Sequence, residues 1–245
     1  MKTHRYQRRF YQNWVNAEDL YVTDFVAKET DLQILTNKKL DASRMEEKVR
    51  TLRWDIEQYI HRDRRFLVSP KPVSVESDAC EIVKEMSRQS ALAGVGPMTT
   101  VAGAIAQFLG MDLVDSGFKD VIVENGGDIF LKTTKTRKIG IYAGKSKLWN
   151  KLKLEIRPKE TPLGICTSSG TIGHSLGIGC ADSVVIIAKN ALLADAAATA
   201  TGNRVHTRKD LQAAVDFARS IKGILGVVVI LKSDLISWGG VRFVK

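Results

Sequence analysis

Cysteine is scarce in this chain: Cys80, Cys166 and Cys180 are the three in 245 residues. They are scattered and form no C-x-x-C pair, which excludes a disulfide scaffold and a zinc site of the usual kind. Five prolines and nineteen glycines exclude collagen-like or linker-dominated composition. Long apolar runs are missing too. The longest, 224–231, is bracketed by Lys222 and Lys232, falls far short of the ~18 residues a membrane span needs, and reads as a buried strand. The basic opening stretch, 1–10, has no apolar segment behind it of the sort a secretory signal requires. The expectation is a cytoplasmic protein with no membrane partner. The formal charge of +10 is not concentrated. Its densest cluster, Arg62, Arg64 and Arg65, is interrupted by Asp63, and a nucleic-acid partner is not expected.

What is present is ordinary for a folded protein: 44% hydrophobic and 26% charged residues, with no repeat and no linker. The expectation is one domain over 1–245, in which 1–70 supplies strands and a long helix and 71–245 a ligand-binding core. Polar and apolar residues alternate through the first forty positions, which predicts antiparallel strands. Asp41 then opens a helix whose Met45, Val49, Leu52 and Ile56 fall on one face. Further helices are predicted over 78–92, 97–109, 191–200 and 208–221. Strands are predicted at 120–124, 129–133, 138–143, 151–156, 183–188, 225–231, 235–238 and 241–244. Helices grouped with helices and strands with strands predict an α+β fold of mostly antiparallel sheets packed with helices.

The run Gly140–Ser146 imitates a phosphate loop but has three residues between its glycines where four are needed, and no helix signal follows. Three other segments can carry chemistry. In Ala191–Ala200 one acid, Asp195, sits among alanine, leucine and threonine, and Thr199 lies one turn further on the same face. A buried carboxylate with no cationic neighbour must be satisfied from elsewhere. Two partners fit: backbone N–H groups of a neighbouring loop, or a Mg²⁺ ion, which takes one or two carboxylates and completes its shell with water and phosphate oxygens. Gly164–Ser175, rich in glycine and hydroxyls and carrying His174, is either a turn with a surface histidine or a segment that approaches a ligand closely. Glu124-Asn125-Gly126-Gly127-Asp128 is first a hairpin signal.

In this order the segments resemble a family. Glu124-Asn125-Gly126-Gly127-Asp128, then Cys166-Thr167-Ser168-Ser169-Gly170 with His174-Ser175, then Ala194-Asp195-Ala196-Ala197-Ala198-Thr199-Ala200 look like the ApbE superfamily. Ala93-Gly94-Val95-Gly96-Pro97-Met98 and Gly202-Asn203 are similar to its UPF0280 branch. The resemblance spans about 90–205.

The resemblance implies an ApbE-like α+β fold that binds FAD or FMN and uses Mg²⁺. Characterised members are FAD:protein FMN transferases: they cleave FAD, pass FMN to a threonine hydroxyl of an acceptor flavoprotein, and release AMP. It implies Asp195 and Thr199 as metal ligands, with a main-chain carbonyl at Pro97 or Met98 as a further contact. It implies Asn125, Gly126, Gly127, Asp128, Thr167, Ser168, Ser169, Gly170 and His174 as cofactor-binding residues, His174 also taking the acceptor proton. The pattern departs from the family at Leu176-Gly177-Ile178-Gly179 and at Gly96-Pro97-Met98-Thr99-Thr100. A ligand-binding protein, or another enzyme of cofactor metabolism on the same cleft, therefore stays open beside the transferase. A homo-oligomer is also open.

Overall fold

The computed structural model describes residues 17–141, 152–168 and 179–244. Strands β1 (Tyr21–Ala27) and β2 (Thr30–Thr36) form the antiparallel hairpin that the alternation predicts. Helix α1 (Ala42–Arg62) begins where the Asp41 side chain accepts the N–H groups of Ser43 and Arg44, satisfying two donors that a helix start leaves open. Its Met45, Val49, Leu52, Ile56 and Tyr59 are buried, the three-and-four spacing of one helical face. The short α2 (Arg65–Val68) follows, then α3 (Glu81–Ala93), which stops at Gly94 with φ 71°. That left-handed cap suits glycine.

A 3₁₀ turn over Pro97–Thr100 runs into α4 (Val101–Asp115), which extends one and a half turns past the predicted end at 109. Val101–Leu113 is apolar on almost every side, so its exit could not be read from periodicity. The stretch Pro97–Asp115 is long and apolar enough to cross a membrane by length and composition. It packs on α5 (Ala191–Gly202) and on strands β3 (Val121–Asn125) and β4 (Asp128–Lys132), which makes it a core helix. At Gly110 a β-carbon would come within 2.1 Å of the Phe130 ring, so glycine there lets helix and strand meet.

The remaining strands are β5 (Arg137–Gly140), β6 (Lys153–Ile156), β7 (Leu163–Ser168), β8 (Ser183–Ala188), β9 (Ile224–Leu231), β10 (Asp234–Gly239) and β11 (Phe243–Val244), with α6 (Leu211–Ser220) before β9. The main sheet has the order β1-β2-β3-β4-β7-β8-β9-β10, and every neighbouring pair is antiparallel. The α+β reading of mostly antiparallel sheets packed with helices holds. One expectation needs correction. Leu163–Ser168 is a central strand, not a turn, because its Leu163, Ile165 and Cys166 are needed in the core on alternate faces. The glycine and hydroxyl content hid that alternation.

The sheet has two covered faces. Val121, Val123 and Phe130 pack against α4 and α1, and Cys166, Val184 and Val229 against α5 and α6. Ile122, Ile129, Leu131, Ile165 and Val185 point the other way, onto Ile139, Leu154 and Ile156 of a small sheet of order β11-β6-β5. Where β4 turns toward β5, Asp120 accepts hydrogen bonds from Thr133, from the backbone and hydroxyl of Thr134, and from Arg137, itself buried and also paired with Asp19. Burial alone would raise the Asp120 carboxyl, but the donors from Thr134, Thr133 and Arg137 hold it below the usual range.

Candidate active site

The β3–β4 hairpin turns at Gly126 and Gly127, with φ of 69° and 102°. Both are conformations that side chains with a β-carbon resist. The turn is braced from within, since Glu124 Oε1 accepts the Gly127 N–H at 2.6 Å. Strand alternation then decides which side chains reach the helices. Asn125 pairs with Asp128, and Asp128 with Cys166. These three share the face of Val123 and Phe130. Ser168, paired with Val184, shares it too, whereas Thr167 alternates to the opposite face with Val185. On this face Asn125 donates from Nδ2 to the Ala102 carbonyl at 3.2 Å.

Helix α5 lies across that end of the sheet. Asn190 caps it by accepting the Leu193 N–H at 2.8 Å. The Ala191 N–H is held by Gln107 Oε1 at 2.9 Å, and the Ala191 carbonyl accepts from Cys166 Sγ at 3.3 Å. At Gly164 a β-carbon would sit 2.3 Å from Ala191 Cα. One turn on, Asp195 Oδ2 accepts the Gly103 N–H at 3.0 Å. That N–H belongs to the first turn of α4, which has no side-chain cap of its own. The Asp195 carboxylate therefore supplies one from another helix.

The expectation that Asp195 meets either an amide or a cation is thus half settled. One oxygen is tied to an amide, and the other has no hydrogen-bond partner among the described residues. Asp195 is partly open to solvent. Desolvation nevertheless pushes its carboxyl up to about 7, against a smaller lowering by the Gly103 N–H. Burial also holds the Cys166 thiol well above its ordinary value, helped by the negative charges of Asp128 and Asp195. Two carboxylates and a neutral thiol consequently share one small region. Thr199, buried, stands one turn beyond Asp195, and the Gly202 of the last turn lies against Ser168 and Val184.

Among the described residues no group of three or more His, Cys, Asp or Glu side chains is placed to hold a metal ion. A cage made wholly of such side chains is not what Mg²⁺ needs. A carboxylate oxygen unbonded among the described residues, with a hydroxyl one turn away, fits an ion that keeps waters and takes phosphate oxygens. The Pro97 carbonyl accepts from Thr100 Oγ1 and the Met98 carbonyl from the Val101 N–H, both within this turn.

A family profile described as AbpE bacteria matches residues 12–235. A UPF0280 protein of Methanocaldococcus jannaschii is 40% identical over 215 residues, covering 86% of this chain and 87% of its own. This chain belongs to the UPF0280 branch of the ApbE superfamily. Another UPF0280 protein, of Methanococcoides burtonii, is 38% identical and covers 88% and 91%. The fold matches solved ApbE structures. The flavin transferase ApbE from Vibrio cholerae superposes with a TM-score of 0.59 at 15% identity, over 89% of this chain and 96% of that one. The Pseudomonas stutzeri flavinyl transferase ApbE, in its apo form, gives 0.59 at 13% identity, over 89% and 94%.

Within this UPF0280 chain, Asn125, Gly126, Gly127, Asp128, Ser168, Asp195 and Thr199 come together at one end of the main sheet and along α5. Thr167 reaches that end through its backbone, whose N–H bonds the Gly127 carbonyl at 3.2 Å. Ser169, Gly170 and His174 lie outside the described residues. Gly103 and Gln107 were not singled out from the sequence. Gln107 had a signal: it is the one polar side chain in 101–111, the same isolation that marks Asp195.

Proposed function

We propose that this protein binds FAD and acts as a Mg²⁺-dependent FMN transferase. In this reading a threonine hydroxyl of an acceptor protein attacks the FMN phosphorus. A new P–O bond forms, the P–O bond to the AMP moiety breaks, and AMP leaves with that oxygen. The observation that carries the reading is Asp195: an acid kept partly desolvated on a helix of alanines, with one oxygen anchored on Gly103 and the other available. Desolvating a carboxylate costs several kcal/mol unless something is gained by it. Support also comes from the flavin transferases that share the fold.

Mg²⁺ would supply neutralisation of charge on the diphosphate. Asp195 and Thr199 would hold it. Asn125, Ser168 and the glycine backbone of the hairpin and of Ser169-Gly170 would orient the flavin nucleotide, and Asp128 would accept a donor from it. His174 would take the acceptor proton.

The test is AMP release from FAD by purified protein, with and without Mg²⁺, for the wild type and Asp195→Ala. Mg²⁺-dependent release that the variant lacks supports the reading, and release unchanged in the variant removes Asp195 from it. The departures at 96–100 and 176–179 favour a second reading, a protein that holds a flavin or related phosphorylated ligand without transferring it. Yellow protein that releases no AMP with any flavoprotein acceptor offered decides for that reading.

A further inference from the structure

We propose that Gln107 is a positioning residue for the cation site, acting through the first residue of α5 to set the register that presents Asp195. The inference rests on the reading of Asp195 as a cation ligand. Its geometry is a two-rung ladder. Gly103 and Gln107 lie four residues apart on α4, and Ala191 and Asp195 lie four apart on α5. Each pair therefore shares a helix face. The rungs join Gly103 N–H to Asp195 Oδ2 at 3.0 Å and Ala191 N–H to Gln107 Oε1 at 2.9 Å.

At the start of α5 the buried Leu192 and Leu193 and the Cys166 Sγ bond to the Ala191 carbonyl also hold the helix, but along the stretch that carries Asp195 the packing is less distinctive. Ala194, Ala196, Ala197, Ala198 and Ala200 are buried but short. A surface of methyl groups offers shallow ridges, so neighbouring registers cost similar amounts. A slip of one residue rotates a helix by about 100° and would carry Asp195 off the cleft. Directional polar contacts remove that degeneracy, as single buried polar residues do in helical bundles. The Gly103 rung cannot do so alone, because it ends on the very carboxylate that must be positioned. Gln107 holds the helix one turn earlier, on a backbone group that takes no part in the chemistry.

The experiment titrates Mn²⁺ alone into the full-length protein and reads free Mn²⁺ by electron paramagnetic resonance. The variants are Gln107→Met, which keeps length and loses the acceptor, Gln107→Glu, which keeps the acceptor oxygen, and Asp195→Asn. Supporting contacts behind metal ligands are typically worth ten-fold or more in affinity. Gln107→Met is expected to bind Mn²⁺ about 10-fold more weakly, and Gln107→Glu within about 2-fold of the wild type. Gln107→Asn, whose oxygen falls short of Ala191, replaces the Met variant if that one does not fold. Wild-type affinity in Gln107→Met or Gln107→Asn overturns the proposal while leaving Asp195 as ligand. A wild type with no saturable site that Asp195→Asn removes overturns the reading of Asp195 and this inference with it.

Discussion

The carboxylate of Asp195 accepts the N–H of Gly103 at 3.0 Å, so an acid in the middle of one helix caps the start of another. At Gly103 a β-carbon would stand 2.4 Å from the Ala191 carbonyl oxygen and 3.0 Å from Asp195 Cβ. The two helices can approach this closely because residue 103 has no side chain.

Gly103→Ala should therefore push α5 off α4. Overpacking of this kind costs about 1–3 kcal/mol. A lowered urea midpoint together with weaker Mn²⁺ binding is the expected result. Unchanged values for both would show that the helices have room to separate without consequence.

Asp195→Asn should make the protein more stable at alkaline pH while removing the Mg²⁺-dependent AMP release proposed above. The folded carboxyl titrates at about 7, above its unfolded value of 3.8. The unfolded chain releases its proton first, so stability falls as pH rises from about 4 to 7 and the penalty is complete above that. Asn carries no such charge and can still accept the Gly103 N–H. The variant's advantage should grow between pH 4 and 7 and level off at roughly 1–3 kcal/mol, reduced by the side chain's partial contact with water. Urea melts across that range check it, and a constant difference would contradict it.

The acid limb of stability should come in part from Asp120. Its folded carboxyl is held below the ordinary value by Thr134, Thr133 and Arg137, against burial. The contribution is complete above the unfolded carboxylate range and is lost as pH falls through the depressed folded value. Asp120→Asn should cost about 1–3 kcal/mol at pH 7, because buried donors lose a charged acceptor while Arg137 keeps its pairing with Asp19. The gap from wild type should narrow below pH 3. A gap that widens on acidification would refute the assignment.

Thiol labelling should be selective. Cys180 is exposed and Cys166 is fully buried with its thiol held neutral. The native protein should react with a bulky disulfide reagent quickly at Cys180, while Cys166 waits for unfolding. Mass spectrometry of the labelled peptides shows the order.

Much of this architecture was legible because its signals are local. Asp41 and the Met45–Ile56 spacing define α1, and Asn125-Gly126 between apolar runs defines the β3–β4 turn. β7 was not legible, because Gly164 and Thr167-Ser168 obey the needs of α5 and the hairpin more than strand propensity. Close backbone approach at Gly164 is a tertiary demand that leaves no local pattern. The candidate site reads in the sequence as three segments in order, but not as a geometry. That Thr167 faces away while Ser168 faces α5 depends on pairing with Val184 and Val185. A shift of one residue would exchange them.

The tail of the chain is stitched to its middle. Phe243 and Val244 pair with Leu154 and Lys153, and Arg242 bonds the Glu155 carbonyl and Glu160. Trimming the last few residues would strip an outer strand from the small sheet and bare the backbone of β6 to neighbouring molecules. An affinity tag fused there would start from a structural strand, and a spacer is needed before it can swing free.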